Sequence, residues 1–99
     1  MKVENMISSK GNKVANQFTV SFSGPNNWMD GTITGSGTAF QSYKSVIAFK
    51  EYTGKVYLDK NTWDYSVTTG KYRNIFLGEN KKETEKKIAS GEYILADLN

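Results

Sequence analysis

This 99-residue sequence contains no cysteine and no histidine. Those absences exclude a disulfide framework, Cys/His zinc sites, and catalysis by a thiolate or an imidazole. A chain without cysteine also suits a reducing compartment. No apolar run approaches the roughly 20 residues that cross a bilayer as a helix. The opening "MKVENMISSKGNK" lacks the apolar stretch of a signal peptide. The expectation is a cytoplasmic protein with no membrane partner. Charge of one sign is also scarce. The net charge is +3, and the excess lies in residues 1–50, where five lysines face Glu4 and Asp30. That is too little to mark a nucleic-acid protein by itself, and it has the wrong sign for a DNA mimic.

What is present fits one small domain spanning residues 1–99, with residues 1–15 as a mobile arm or a short edge strand. Apolar residues make up only 37% of the chain, but aromatics make up 13%, and large rings fill a small core efficiently. "NQFTVSF" (16–22) alternates Phe18, Val20 and Phe22 with polar residues, the pattern of a half-buried strand. Pro25 and its Gly and Asn neighbours end it. Gly31, Gly35 and Gly37 leave a long loop or a weak, bulged strand near 32–34. Strands are expected near 38–43, 46–50 and 55–59, with Gly54 at the positive-φ position of the last turn.

Trp63, Tyr65 and Val67 alternate with polar residues and read as a further strand. Tyr72, Ile75 and Phe76 then stand at helical spacing, with Thr68 or Thr69 as the cap and Gly78 as the stop. A second helix is expected over 81–90, opened by Asn80 with Glu83 as a capping box and closed by Gly91. "EYILADL" is apolar on both faces and predicts a central strand. The fold class is α+β: an antiparallel sheet of five or six strands with one or two short helices in the C-terminal third.

Catalytic patterns are missing. Asp59 and Asp64 are the one candidate pair of carboxylates or cation ligands, but "DKNTWD" matches no cation loop. Gly70-Lys71 is not a nucleotide loop: Tyr65 stands where its first glycine belongs, and Tyr72 where Ser or Thr belongs. A bare anion seat at 68–71 is compatible with a helix start. No enzyme, metal or cofactor is expected. Lys81, Lys82, Lys86 and Lys87 interleave with Glu79, Glu83 and Glu85, so the second helix reads as a solvated face, with Glu83 and Lys87 at i,i+4.

The candidate binding residues are Trp63, Tyr65, Thr69, Lys71, Tyr72 and Arg73, a basic-aromatic corner, together with Trp28 in the Gly-rich loop. Tyr43, Tyr52 and Tyr57 add more rings than one sheet face need bury.

From about residue 11 onward, and most specifically in "WDYSVTTGKYRNIFLGE" (63–79), the chain resembles small proteins of unknown function from phages, prophages and plasmids of Firmicutes. "NNWMDGTITGSG" departs from the shorter hairpin expected there. The resemblance transfers no catalytic residue. It implies a phage-type accessory protein in the cytoplasm of a bacterial host, acting by binding. Inhibition of a host defence system, as anti-CRISPR proteins do, is the first expectation. A host protein is favoured as partner over nucleic acid, and weak nucleic-acid binding through Lys71, Arg73 and the nearby rings is the alternative.

Overall fold

The computed structural model describes residues 2–21, the backbone of 22, 27–28 and 33–34, and residues 36–99. Strands β1 (Lys2–Ile7), β2 (Lys13–Phe22), β5 (Gly37–Ser42), β6 (Ser45–Glu51), β7 (Val56–Asp59) and β8 (Tyr93–Ala96) form a six-stranded sheet in the order β1-β2-β5-β6-β7-β8. All pairs are antiparallel except β7 with β8. Two short strands, β3 (Asn27–Trp28) and β4 (Ile33–Thr34), pair with each other as a separate antiparallel ladder among the described residues. Helices α1 (Val67–Leu77) and α2 (Lys81–Ser90) make the crossover from β7 to β8, the kind of connection a parallel pair requires. The architecture is α+β, with both helices late in the chain.

The central strands β5, β6 and β7 carry buried residues on both faces of the sheet. One face carries Phe40, Ile47, Ala48 and Leu58, which pack with Tyr72 and Phe76 of α1, Tyr93 of β8 and Met6 of β1. The register passes from Gln41↔Val46 to Phe40↔Ala48, so Ile47 is an extra residue. That bulge lets Ile47 and Ala48 both serve the same core. The other face gathers Ala39, Phe49, Tyr57 and Leu98, with the Phe49 and Tyr57 ring centroids 6.3 Å apart. Gly37 is needed at the edge of this layer. A Cβ there would lie 2.7 Å from the Phe49 ring and would collide with the Lys50 carbonyl. Gly37→Ala is therefore expected to cost roughly 1–3 kcal/mol of stability by overpacking. A urea titration reads this directly, and an unchanged midpoint would show that the backbone yields.

Several expectations change here. Residues 63–67 are not a strand. The chain after β7 turns back on itself, and the N–H groups of Thr62 and Trp63 donate to the Asp59 carbonyl (3.3 and 3.0 Å). Trp63 is turned into the helix-side core instead of pairing with a neighbour. β8 lies at the sheet edge, not in its centre. Its two-sided apolarity has another cause: Tyr93 packs in the helix-side core, and Leu98, just after the strand, seals the opposite one. Ile94 and Leu95 stay about two-fifths exposed. The N-terminal residues form edge strand β1, joined to β2 by a turn in which Gly11 has φ 80°. Gly54 takes φ 102° as its turn requires. Trp28 has its backbone in β3, but its side chain, the glycines at 31 and 35, and Met29 lie outside the described residues.

Candidate functional site

The corner between β7 and α1 is organised by two carboxylates with separate duties. Asp59 is buried and accepts hydrogen bonds from Leu98 N (2.8 Å), Thr62 Oγ1 (2.7 Å) and Asn61 N (3.2 Å). Burial alone would raise its carboxyl, but these donors outweigh burial and hold it below the ordinary value. Asp59 is thus a turn acceptor that ties the C-terminal segment to β7. Asp64 instead meets Arg73 Nη1 at 3.2 Å and Lys81 Nζ at 2.7 Å. The two acids do not act as a pair. Among the described residues no group of three or more acidic side chains is placed to hold a metal ion.

Helix α1 starts two residues earlier than the threonines suggest. Ser66 is the N-cap, with extended backbone (φ −153°, ψ 160°), and its Oγ accepts from Thr69 N at 3.1 Å. Its carbonyl accepts from Gly70 N at 2.9 Å. Residues 68–71 therefore lie inside the first turn, and Ser66 occupies two of the donors that an anion seat there would use. Thr69 is fully buried and its hydroxyl is 2.9 Å from that of Ser42 on β5. This bond fixes the rotation of the helix. The inward residues become Thr69, Tyr72, Arg73 and Phe76, spaced i, i+3, i+4 and i+7 as one helical face. Ile75, expected inside, is about half exposed.

Arg73 is the largest correction. The sequence places it beside Lys71 in a basic-aromatic binding corner, yet only 1% of it is exposed. Its Nη1 donates to the Trp63 carbonyl at 2.6 Å and to Asp64, and its Nη2 donates to Asn74 Oδ1 at 3.0 Å. Its guanidinium lies 5.2 Å from the Trp63 ring centroid and folds back beside Gly70, where a Cβ would stand 3.7 Å from Nη2. Arg73 is a structural clamp across the corner, because a planar fork of donors satisfies three acceptors at once. Tyr72 is buried in the helix-side core and Trp63 is half-buried beside it. Of the sequence candidates, Lys71 and Tyr65 alone are exposed on this corner.

Beside the clamp lies an open cleft of about 640 Å³, bordered by Asp64, Tyr65, Val67, Lys71, Arg73 and Lys81. Val67 is 91% exposed and Tyr65 48%. Lys71 lies 5.5 Å from the Tyr72 ring centroid and, among the described residues, forms no ion pair. Val67 and Lys81 border the cleft, and Ile75 is exposed on the same side of α1; none of the three is a binding candidate in the sequence. The signal available for Val67 was its position directly after a capping serine, where a side chain precedes the first inward turn. Nothing in the sequence marked Lys81 as a neighbour of Asp64.

A second polar cluster joins the helices to β8. Gly78 closes α1 with φ 70°, and the N–H groups of Gly78 and Glu79 both reach the Asn74 carbonyl (2.8 and 3.1 Å). The Glu79 side chain is only 3% exposed. It accepts from Lys87 Nζ (2.7 Å), Tyr93 Oη (2.7 Å) and Thr84 Oγ1 (2.6 Å). Lys87 therefore pairs with Glu79, not with Glu83, which completes the expected capping box with Asn80. Lys50 sits 4.4 Å from the Phe76 ring centroid, and burial lowers its ammonium pKa despite the nearby Glu79 charge.

A family model described as "Family of unknown function (DUF8033)" matches residues 1–92. The chain belongs to this family. The match takes in both helices and stops just before β8, so it covers the Arg73 clamp and the cleft. No curated protein and no solved structure matches the chain. Among the described residues, no helix of this DUF8033 member is long and apolar enough to cross a membrane.

Proposed function

We propose that this DUF8033 protein acts by binding and not by catalysis, and that the outward face of α1 is its docking surface. The observation that carries the reading is the mixed facing of α1: polar Thr69 and Arg73 lie inside beside Tyr72 and Phe76, while aliphatic Val67 and Ile75 are outside. A helix that serves only its own core buries the aliphatic side chains and exposes the charged ones. Here Val67 borders an open cleft with Tyr65 and Lys71, and Ile75 is exposed two turns further along the helix. Exposed aliphatic and aromatic side chains around a concavity are the usual anchors of a protein partner.

The partner in this reading is a host protein, and the resemblance of residues 63–79 to phage and plasmid proteins makes a defence component the natural target, in the manner of an anti-CRISPR inhibitor. The nucleic-acid alternative has less to draw on. Arg73 spends its donors internally and Lys81 is paired with Asp64, so Lys71 is the one cation of the cleft without an ion pair among the described residues. One free cation neutralises one phosphate, too few for useful affinity at physiological salt.

Val67→Asp tests the face. The side chain is nearly fully exposed, so the variant should fold as the parent does. Tagged parent protein expressed in a bacterial host carrying an active defence nuclease should recover one stoichiometric protein and restore plating of a targeted phage. Val67→Asp should do neither. Equal recovery by both proteins would remove this face from the function, and recovery of nuclease-sensitive, salt-dependent nucleic acid would favour the alternative.

A further inference from the structure

The cleft beside α1 has a charge imbalance that specifies the chemistry of its occupant. Three cations border it, Lys71, Arg73 and Lys81, against the single carboxylate of Asp64. Asp64 already serves two of them, meeting Arg73 at 3.2 Å and Lys81 at 2.7 Å. Lys71 is left without an ion pair among the described residues. Val67 and Ile75 stand one helical turn before and after Lys71, on the exposed side. These three residues therefore form a stripe with an apolar group at each end and a cation between them. Eight residues of helix set the ends roughly 12 Å apart.

We propose that the cleft and the exposed Val67-Lys71-Ile75 stripe of α1, which runs out of it, receive a protein segment in which an aspartate or glutamate lies between two aliphatic or aromatic side chains spanning that distance. The proposal rests on the docking face argued above and adds the identity of what the face selects. The carboxylate meets Lys71 and shares the field of Lys81 and Arg73. The flanking apolar groups cover Val67 and Ile75 and displace water from the ion pair, which strengthens it. A basic segment would be turned away by the same field. A bare phosphate or a nucleic-acid strand would find the cation but would leave both apolar ends uncovered.

A display library of random 12-residue peptides, panned against the full chain, tests the proposal. Enriched peptides should share an acidic residue flanked by apolar ones. A synthetic peptide of that consensus should bind the parent chain at least roughly tenfold more tightly than Lys71→Glu, a difference of about 1.4 kcal/mol. The difference should shrink as salt rises from about 0.01 to 1 M. Panning against Lys71→Glu should enrich Lys- or Arg-bearing peptides instead. Enrichment of peptides without acidic residues, lost in Val67→Asp but indifferent to Lys71→Glu, would overturn the acidic assignment and leave the docking face standing. Peptides indifferent to both substitutions would overturn both. A labelled single-stranded oligonucleotide that binds the parent and displaces the consensus peptide would assign the cleft to phosphate and overturn the proposal.

Discussion

Arg73→Ala is expected to destabilise the protein by roughly 3–5 kcal/mol, the range for breaking one partner out of a buried charged network. The side chain is buried and its two Nη atoms bond the Trp63 carbonyl, Asp64 and Asn74. Truncation leaves the part-buried Trp63 carbonyl without this donor, opens a cavity beside Gly70 and removes the cation from the Trp63 ring. It also frees the turn that carries Asp64 and Tyr65. Arg73→Lys should recover only part of the loss, since one ammonium cannot span three acceptors with the geometry of a fork. Lys71→Ala, two residues away and exposed, should leave the unfolding midpoint where it is and weaken partner binding. Urea denaturation followed by circular dichroism separates the two positions. If Arg73→Ala unfolded within about 1 kcal/mol of the parent, the typical worth of a single hydrogen bond, the clamp would carry no structural weight.

Glu79→Ala is expected to have an effect of similar size, because it strips the shared acceptor from Lys87, Tyr93 and Thr84 in one step. The consequence is spatially specific. These bonds hold α2 and β8 to the turn after α1, so β8 and the residues that follow it should lose hydrogen-exchange protection first. The pH dependence has a definite sign. Burial pushes the Glu79 carboxyl up, but the bonds from Lys87, Thr84 and Tyr93 prevail and hold it below its ordinary 4.5. Its contribution is then complete above the ordinary carboxylate range and is lost as pH falls through the lowered folded value. At the alkaline end, burial and the Glu79 carboxylate raise Tyr93 from 10.0 to about 12. That contribution is complete below pH 10.0 and fades as pH rises toward 12. Lys87 is raised as well, chiefly by its bond to Glu79, and fades in the same direction. Glu79→Gln should flatten both limbs of a stability-against-pH curve. A parent and a variant with parallel curves would place the titrating groups elsewhere.

Local signals in this chain were legible where a single residue decides local geometry. Asn80 with Glu83, Gly78, Gly91 and Gly54 all sit where their backbone chemistry requires. Alternation placed β2, β5, β6 and β7 to within a few residues, because a half-buried strand must segregate its two faces. Alternation misled at 63–67, where Trp63 is held by the buried Arg73 and by the turn on Asp59, not by a neighbouring strand. Two-sided apolarity misled at β8, because the residues covering both sides of this edge strand come from remote segments. In the candidate site, Lys71 and Tyr65 were found by residue type alone, while Val67, Ile75 and Lys81 were not.

The sequence by itself determined most of the elements, the capping box of α2, the glycines that end both helices and the absence of thiol and imidazole chemistry, since these depend on residue identity and on neighbours a few positions apart. The rotation of α1 was decided only by the tertiary structure. A hydroxyl on β5 bonds Thr69 across 27 positions of chain, and the Trp63 carbonyl and Asp64 draw Arg73 inward. Burying an arginine is tolerable only where acceptors from distant segments converge on it. That convergence, invisible in any window of sequence, turned a basic doublet into one clamp and one exposed lysine beside an apolar stripe.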